Sequence, residues 1–185
     1  MRTLASSLAP GHALNTLVPE AIRCAAGRRW AWDGVRFEFL HPPSGWESAR
    51  RNNQSCVLRV EAGGTAMLLT GDIERVAEAL LVGESVKADV LLVPHHGSRT
   101  SSSEAFIEAV GPRWAIVPAG YRNRFGHPAR EVLSRYEGAK VSVLRTDLGG
   151  AVSVVLNRDS PQVRAQRSLH PRYWRLHRHP LPRHP

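Results

Sequence analysis

Two apolar runs stop abruptly at side chains that bind metals. Leu68-Leu69-Thr70-Gly71 ends at Asp72, and Asp89-Val90-Leu91-Leu92-Val93-Pro94 ends at His95-His96-Gly97-Ser98. If both runs are buried strands, one carboxylate and two imidazoles arrive at one rim of a sheet, which is how a hydrolytic metal site is assembled. A third imidazole, His127 in Gly126-His127-Pro128, follows the next apolar run, Trp114-Ala115-Ile116-Val117. Asp72 also suits a plainer role, capping a helix that begins near Glu74. Neighbouring residues on a strand point to opposite faces, so at most one of His95 and His96 is expected to reach a given ion. The other then lies behind the ion or faces substrate. His127 has a structural alternative too, reaching backbone at the start of the following helix.

The loop between that run and His127, Gly120-Tyr121-Arg122-Asn123-Arg124-Phe125, sets two Arg beside two aromatic rings. Such a pairing suits phosphate contact by Arg122 and Arg124, and stacking of a base on the rings. His41, isolated and followed by two prolines, reads as structural. His12 and the tail residues His170, His177, His179 and His184 have no acidic partner nearby in sequence and lie outside any expected site.

Elements that deliver these side chains are legible from periodicity. Val35 to Leu40 alternates as a half-buried strand. Cys56 to Val60 and Thr65 to Leu69 flank Ala62-Gly63-Gly64 as a hairpin. Beyond Asp72 helix and strand alternate. Glu74 to Val82 predicts a helix burying Val76, Ala77, Leu80 and Leu81. Ser101-x-x-Glu104 has capping-box spacing and opens a second helix, with Phe106, Ile107 and Val110 inward and Gly111-Pro112 as its stop. Pro128 suits the first position of a third helix, with Val132, Leu133 and Tyr136 as its buried stripe. Val141 to Leu144 and Ala151 to Leu156 predict a closing pair of strands.

The chain has 185 residues and 42% hydrophobic residues, enough for one sizeable core. No apolar run approaches the roughly 20 residues that a membrane helix needs. The net charge is +9, but seven Arg against one Asp from Arg158 onward account for +6 of it. Residues 158–185 hold five Pro and little apolar pattern, which predicts a disordered basic tail behind a folded unit of residues 1–157. That basicity suits a polyanion such as DNA, and equally a solvated terminus. The two cysteines, Cys24 and Cys56, could form one disulfide in an oxidising compartment, but two unpaired core thiols is the favoured expectation.

Taken together, Leu69-Thr70-Gly71-Asp72, Val93-Pro94-His95-His96-Gly97-Ser98-Arg99-Thr100-Ser101 and Gly126-His127-Pro128 resemble the metallo-β-lactamase-like domain at the C-terminus of ComEC-type DNA-internalisation competence proteins. Asn52-Asn53-Gln54-Ser55, Arg145-Thr146-Asp147 and Tyr173-Trp174 fit the same family, and the likeness runs roughly from Leu8 to Leu156. The resemblance implies an α/β fold, the αββα sandwich of two sheets flanked by helices. It implies one or two divalent metals, zinc or manganese, activating water for hydrolysis. Asp72 becomes the bridging carboxylate and, with His96, catalytic. Asp72, His95, His96 and His127 become the metal set. Ser98, Arg99, Thr100, Arg122 and Arg124 are assigned to substrate. DNA becomes the substrate, the family's membrane channel domains the partners, and the extracytoplasmic face of the bacterial inner membrane the location.

Two departures qualify these expectations. The superfamily's H-x-H-x-D-H motif, H-x-D-x-D-H in this family, is absent and is expected upstream of Met1. The position of a further metal His falls on Asn52 to Ser55, which are poor zinc ligands. The fold is therefore expected to be incomplete at its N-terminus, with metal bound weakly or not at all. The isolated chain is expected to be inactive unless a complementary upstream fragment joins it. A non-catalytic basic DNA-binding remnant and a stand-alone superfamily hydrolase are the alternatives.

Overall fold

The computed structural model describes residues 4–5, 22–83 and 86–170. Its centre is a seven-stranded mixed sheet in sequential order: β3 (Arg29–Trp32), β4 (Val35–His41), β5 (Val57–Ala62), β6 (Thr65–Leu69), β7 (Val90–Leu92), β8 (Trp114–Val117) and β9 (Ser142–Arg145). The first four strands pair antiparallel and the last four parallel. The switch comes at β6, where the hairpin connections give way to helical crossovers. Short strands β1 (Leu4–Ala5) and β2 (Ile22–Arg23) pair with each other apart from this sheet.

Both faces of the parallel half are covered, which is why β7 and β8 read as unbroken apolar runs. On one face Leu91 and Val117 join Phe106, Ile107, Val132 and Tyr136 in the larger core. These come from helices α2 (Glu104–Val110) and α3 (Arg130–Gly138), and α1 (Arg75–Leu81) adds Ala77 and Leu81. On the other face Val90, Ile116 and Leu144 meet Val163 and Ala165. The layers therefore run helices, sheet, and a small second sheet, the α/β class expected from the sequence.

Several expectations need correction. Cys24 and Cys56 form a disulfide and are not free thiols. Cys24 follows β2 and Cys56 precedes β5, and the β3–β4 hairpin folds back to bring them together, through Ala26 N–H to Pro42 O and Gly27 N–H to Phe39 O at 2.8 Å each. The closing strands do not pair with one another. A helical turn at Thr146–Gly149 carries the chain off β9, and β10 (Val152–Val155) pairs antiparallel with β11 (Gln162–Ala165). Ordered structure thus continues past residue 157. Val163 and Ala165 alternate with exposed residues, and this short period-2 signal is masked by the Arg and Pro around it. Residues 171–185, including Tyr173, Trp174 and His177, lie outside the described residues.

Helix α1 buries Ala77 and Leu81 as expected but leaves Val76 and Leu80 exposed, at 56% and 42%. Its buried face is rotated so that Glu78, wholly enclosed, points inward. The Glu78 carboxylate accepts the backbone N–H groups of Ser102 (2.5 Å) and Ser103 (2.9 Å). This supplies the N-terminal cap of α2, whose N-cap residue Ser103 makes no side-chain cap bond of its own. The expected Ser101–Glu104 capping box is therefore absent. Its function passes to the neighbouring helix, and Ser101 Oγ instead donates to Pro94 O at 2.8 Å. Pro128 likewise precedes α3 and does not start it, since Ala129 is the N-cap residue.

His41 is completely buried at the end of β4, with Nε2 2.7 Å from Asn53 O. Burial holds its imidazole below the ordinary value, partly offset by that hydrogen bond. A folded state that binds the proton less readily than the unfolded chain is stable above the unfolded value. It loses that contribution as pH falls through the depressed one. The unfolding midpoint should therefore drop as pH falls below the ordinary imidazole value of about 6.5 and continue to drop until the depressed value is passed. Thermal unfolding of His41→Leu should show a shallower drop across the same interval, and an equal one would refute the assignment. Replacing Glu78 with Ala leaves the buried Ser102 N–H and the partly buried Ser103 N–H without this acceptor and should lower the unfolding free energy by about 1–3 kcal/mol in a denaturant titration.

Candidate metal-facing site

The site sits at the rim where β6, β7 and β8 end. Gly71 turns the chain out of β6 at φ +56°, so Asp72 leaves the sheet edge with 45% of its side chain exposed. A Cβ at Gly71 would lie 2.9 Å from Ser55 Cβ, and Ser55 Oγ accepts the Asp72 N–H at 3.2 Å. The Asn52–Ser55 stretch therefore braces Asp72 from behind. Asn53 continues the brace: its Oδ1 accepts the Glu74 N–H at 2.9 Å.

After β7 the chain enters left-handed backbone over three successive residues, His95 (φ 49°), His96 (φ 56°) and Gly97 (φ 78°). Two of them are not glycine, a conformation that persists only where surrounding contacts over-determine it. Here His95 N–H donates to Gly71 O at 3.1 Å and Ala129 N–H to Gly97 O at 2.9 Å. The strand alternation expected to separate the two imidazoles does not apply, because the turn has already ended the strand. Both rings stay at the rim, with centroids 6.3 Å apart.

His96 is the residue that meets Asp72. Its Nδ1 lies 2.8 Å from Pro118 O, which can only accept, so the ring proton sits on Nδ1. Nε2 then presents a lone pair, and it faces Asp72 Oδ1 at 3.5 Å. Two acceptors facing each other repel unless a cation or a shared proton lies between them. Two ligand atoms each about 2.1 Å from a tetrahedral ion are about 3.4 Å apart, so this pair fits one ion. The second half of the arrangement depends on the helical turn after β9: Thr146 Oγ1 accepts the Ala119 N–H at 2.9 Å and donates to Ala119 O at 2.8 Å, fixing the residue after Pro118. Arg145 and Asp147 pair at 2.7 Å on either side.

His127 lies 6.1 Å from His95, ring to ring. Its backbone is clamped by Asn123, whose Oδ1 accepts the His127 N–H (2.9 Å) and whose Nδ2 donates to His127 O (2.7 Å). Burial first, then the charges that His95 and His96 can carry, push its imidazole below the ordinary value and favour the neutral form. Its Nδ1 is buried without a hydrogen-bond partner among the described residues. Even so, among the described residues no three His, Cys, Asp or Glu side chains converge to hold one ion. The donors present fit a two-ligand position. They do not fit a complete catalytic centre, which needs about three protein ligands.

The residues assigned to substrate divide into two groups. Ser98 is buried, and Thr100 turns inward, donating to Glu74 Oε1 at 2.9 Å. Arg99 is exposed and pairs with Glu131 at 3.3 Å. Arg122 and Arg124 lie on the exposed loop, over the rings of Tyr121 (5.3 Å) and Phe125 (4.9 Å), and Phe125 in turn stacks on His127. Sequence reasoning missed Glu74 and the bracing role of Asn52, Asn53 and Ser55. The clustering of three small polar residues ahead of a buried hairpin was the available signal.

The class is therefore an α/β fold, with Asp72 facing His96 and His95 near His127 where the parallel strands end. In sequence the chain is homologous to one segment of the ComEC-type competence proteins. It is 45% identical over 159 residues to Competence protein ComA of Neisseria gonorrhoeae, covering 84% of this chain and 23% of that protein. It is 42% identical over 120 residues to ComE operon protein 3 of Bacillus subtilis (64% and 15% covered). Recombination protein 2 of Haemophilus influenzae shares 37% over 145 residues (78% and 18%). The chain thus spans less than a quarter of the length of these relatives. No protein-family model matches it. Among solved structures, a putative zinc-dependent hydrolase of the metallo-β-lactamase superfamily from Thermotoga maritima shares 16% identity at a TM-score of 0.46, covering 77% of this chain and 79% of that one. A putative metal-dependent hydrolase from Parabacteroides distasonis shares 10% at 0.48, covering 72% and 60%.

The left-handed turn offers a direct test. A Cβ on Gly97 would lie 2.7 Å from Pro128 Cβ, at a φ that L residues avoid. Gly97→Ala should cost about 1–3 kcal/mol of unfolding free energy by denaturant titration. Gly138→Ala, with nothing among the described residues within 4 Å of its added methyl, should be neutral or stabilising.

Proposed function

We propose that this chain forms part of a metal-dependent phosphodiester hydrolase that acts on DNA during its uptake. The observation that carries the reading is the pair of facing acceptors, Asp72 Oδ1 and His96 Nε2, at a rim where an Arg- and aromatic-bearing loop stacks Phe125 on His127. A divalent ion held there, zinc or manganese, would supply Lewis-acid chemistry and a more acidic bound water when present. The chain's own residues do the holding: Pro118 fixes the His96 tautomer, Ser55 fixes Asp72, and Arg122 and Arg124 offer cations to phosphate oxygens. Homology to proteins named for competence supports the link to DNA uptake.

The ligand count supports a further part of the proposal. Two donors are one short of a catalytic set, so the working site is completed by a segment bearing the H-x-D-x-D-H ligands, on the family's membrane-channel polypeptide or on a complementary fragment. The Cys24–Cys56 disulfide supports an oxidising location, consistent with the extracytoplasmic face of the membrane. Among the described residues no helix is long and apolar enough to cross a membrane. The second reading, a non-catalytic DNA-binding unit, is favoured by the net charge of +9 and the exposed arginines.

Incubating the isolated chain with manganese and labelled single-stranded or duplex DNA should give weak metal binding and little or no hydrolysis. Robust manganese-dependent cleavage, abolished by Asp72→Ala, would refute the need for a completing segment. DNA binding followed by anisotropy should weaken steeply with salt, and each of Arg122→Ala and Arg124→Ala should reduce the log–log salt slope by roughly 0.7–0.9. Unchanged slopes would remove the loop from the DNA contact.

A further inference from the structure

The adjacent imidazoles are held by different sets of partners. His96 has one nitrogen on a carbonyl and the other facing Asp72 across 3.5 Å. His95 is enclosed on both sides. Its Nε2 lies 3.3 Å from the Asn52 side-chain amide nitrogen, which can only donate, so Nε2 accepts and the proton sits on Nδ1. That Nδ1 lies 3.4 Å from Thr100 Oγ1 and 3.6 Å from Glu74 Oε1. Thr100 passes the polarity on, since its hydroxyl donates to the same Glu74 oxygen at 2.9 Å. Glu74 is itself pinned: its side chain is 9% exposed, its other oxygen takes Arg50 Nη1 at 3.1 Å, and its N–H is held by Asn53.

We infer that Asn52 and Glu74 are positioning residues that clamp His95 into the Nδ1–H tautomer with both ring nitrogens engaged, so that His95 buttresses the rim while His96 alone of the pair faces the ion. The ion-facing half of this division rests on the function proposed above; the clamp does not. The physical basis is donor–acceptor polarity along one line. Running from Asn52 to Glu74, the amide donates to Nε2, Nδ1–H donates toward the Thr100 oxygen, and the hydroxyl donates to the carboxylate. The Ser98 hydroxyl also lies 3.1 Å from the Thr100 oxygen and can donate to it, so one proton position on His95 satisfies every member. An ion at His95 Nε2 would have to displace the Asn52 amide, whereas His96 Nε2 faces Asp72 with no hydrogen-bond donor on it among the described residues. The clamp also explains how two imidazoles can be neighbours in a left-handed turn without competing for one ligand position.

Nitrogen NMR of the histidine-labelled full chain tests this at about pH 8, where ordinary imidazoles with values near 6.5 are neutral. His95 should show a protonated Nδ1 and an unprotonated Nε2. Asn52→Asp replaces the donor with an acceptor on a partly exposed residue and should place a proton on Nε2. Glu74→Ala should convert His95 to a mixture of both tautomers, and Glu74→Asp should restore most of the original pattern. Adding zinc to the wild-type chain should displace the His96 Nε2 resonance and leave His95 Nε2 in place. A wild-type His95 protonated on Nε2, an unchanged His95 in Asn52→Asp, or zinc shifting both rings together would each overturn the inference. If zinc moved neither ring, the ion position of the proposed function would fail, and the clamp would still be decided by where the His95 proton lies. Should Glu74→Ala fail to fold, Asn52→Asp and the wild-type tautomer suffice.

Discussion

The left-handed turn at His95-His96-Gly97 is the constraint on which the rim depends. A strand that simply continued would send alternate side chains to opposite faces, burying one imidazole and exposing the other. Beyond β7, after Val93-Pro94, three successive residues at positive φ keep both rings at the rim and bring Gly97 against the start of α3. That backbone is unfavourable by itself, so its neighbours must hold it. Gly71 takes the His95 N–H, Gly97 takes the Ala129 N–H, and the bare Cα of Gly97 admits Pro128. Three rims are thereby tied together through a single turn, and the chemistry-bearing side chains of all three inherit their placement from it.

Polarity then does what geometry alone would leave open. Neutral imidazole has one donor and one acceptor, and its surroundings choose which nitrogen is which. At His96 a backbone carbonyl makes the choice, and at His95 a side-chain amide makes it. The facing lone pairs of Asp72 and His96 follow from the first choice. In the core beneath, Glu78 plays a comparable part for backbone groups, accepting the buried Ser102 N–H and the partly buried Ser103 N–H, while burial raises the affinity of its carboxyl for a proton. Buried polar groups of this kind are tolerable because each is met.

Much of this was legible in the residues. The apolar runs ending at Asp72 and His95 gave the parallel strands, and the Phe106-Ile107-Val110 and Val132-Tyr136 spacings gave the buried faces of α2 and α3. What periodicity could not show were interactions between distant segments. The capping of α2 by Glu78 joins two helices, and a local capping-box pattern pointed to the wrong acceptor. The pairing of Cys24 with Cys56 depends on how a hairpin folds back, which spacing does not reveal. The β10–β11 pairing was hidden because its inward residues, Val163 and Ala165, are only two among many charged and polar neighbours. The roles of Asn52, Asn53 and Ser55 were read only as unsuitability for zinc, since a bracing hydrogen bond leaves no periodic trace.

The disulfide gives the brace an anchor. Cys56 immediately follows the Asn52–Ser55 stretch, and its partner lies 32 residues back, beyond the first hairpin of the large sheet. Closing a loop of that size removes unfolded-chain freedom worth about 3–4 kcal/mol on a chain-entropy basis. That restraint is applied beside the segment that orients Asp72, Glu74 and His95. A thiol-reducing environment would thus act first on the scaffolding behind the ligands, and rim order becomes tied to the redox character of the compartment.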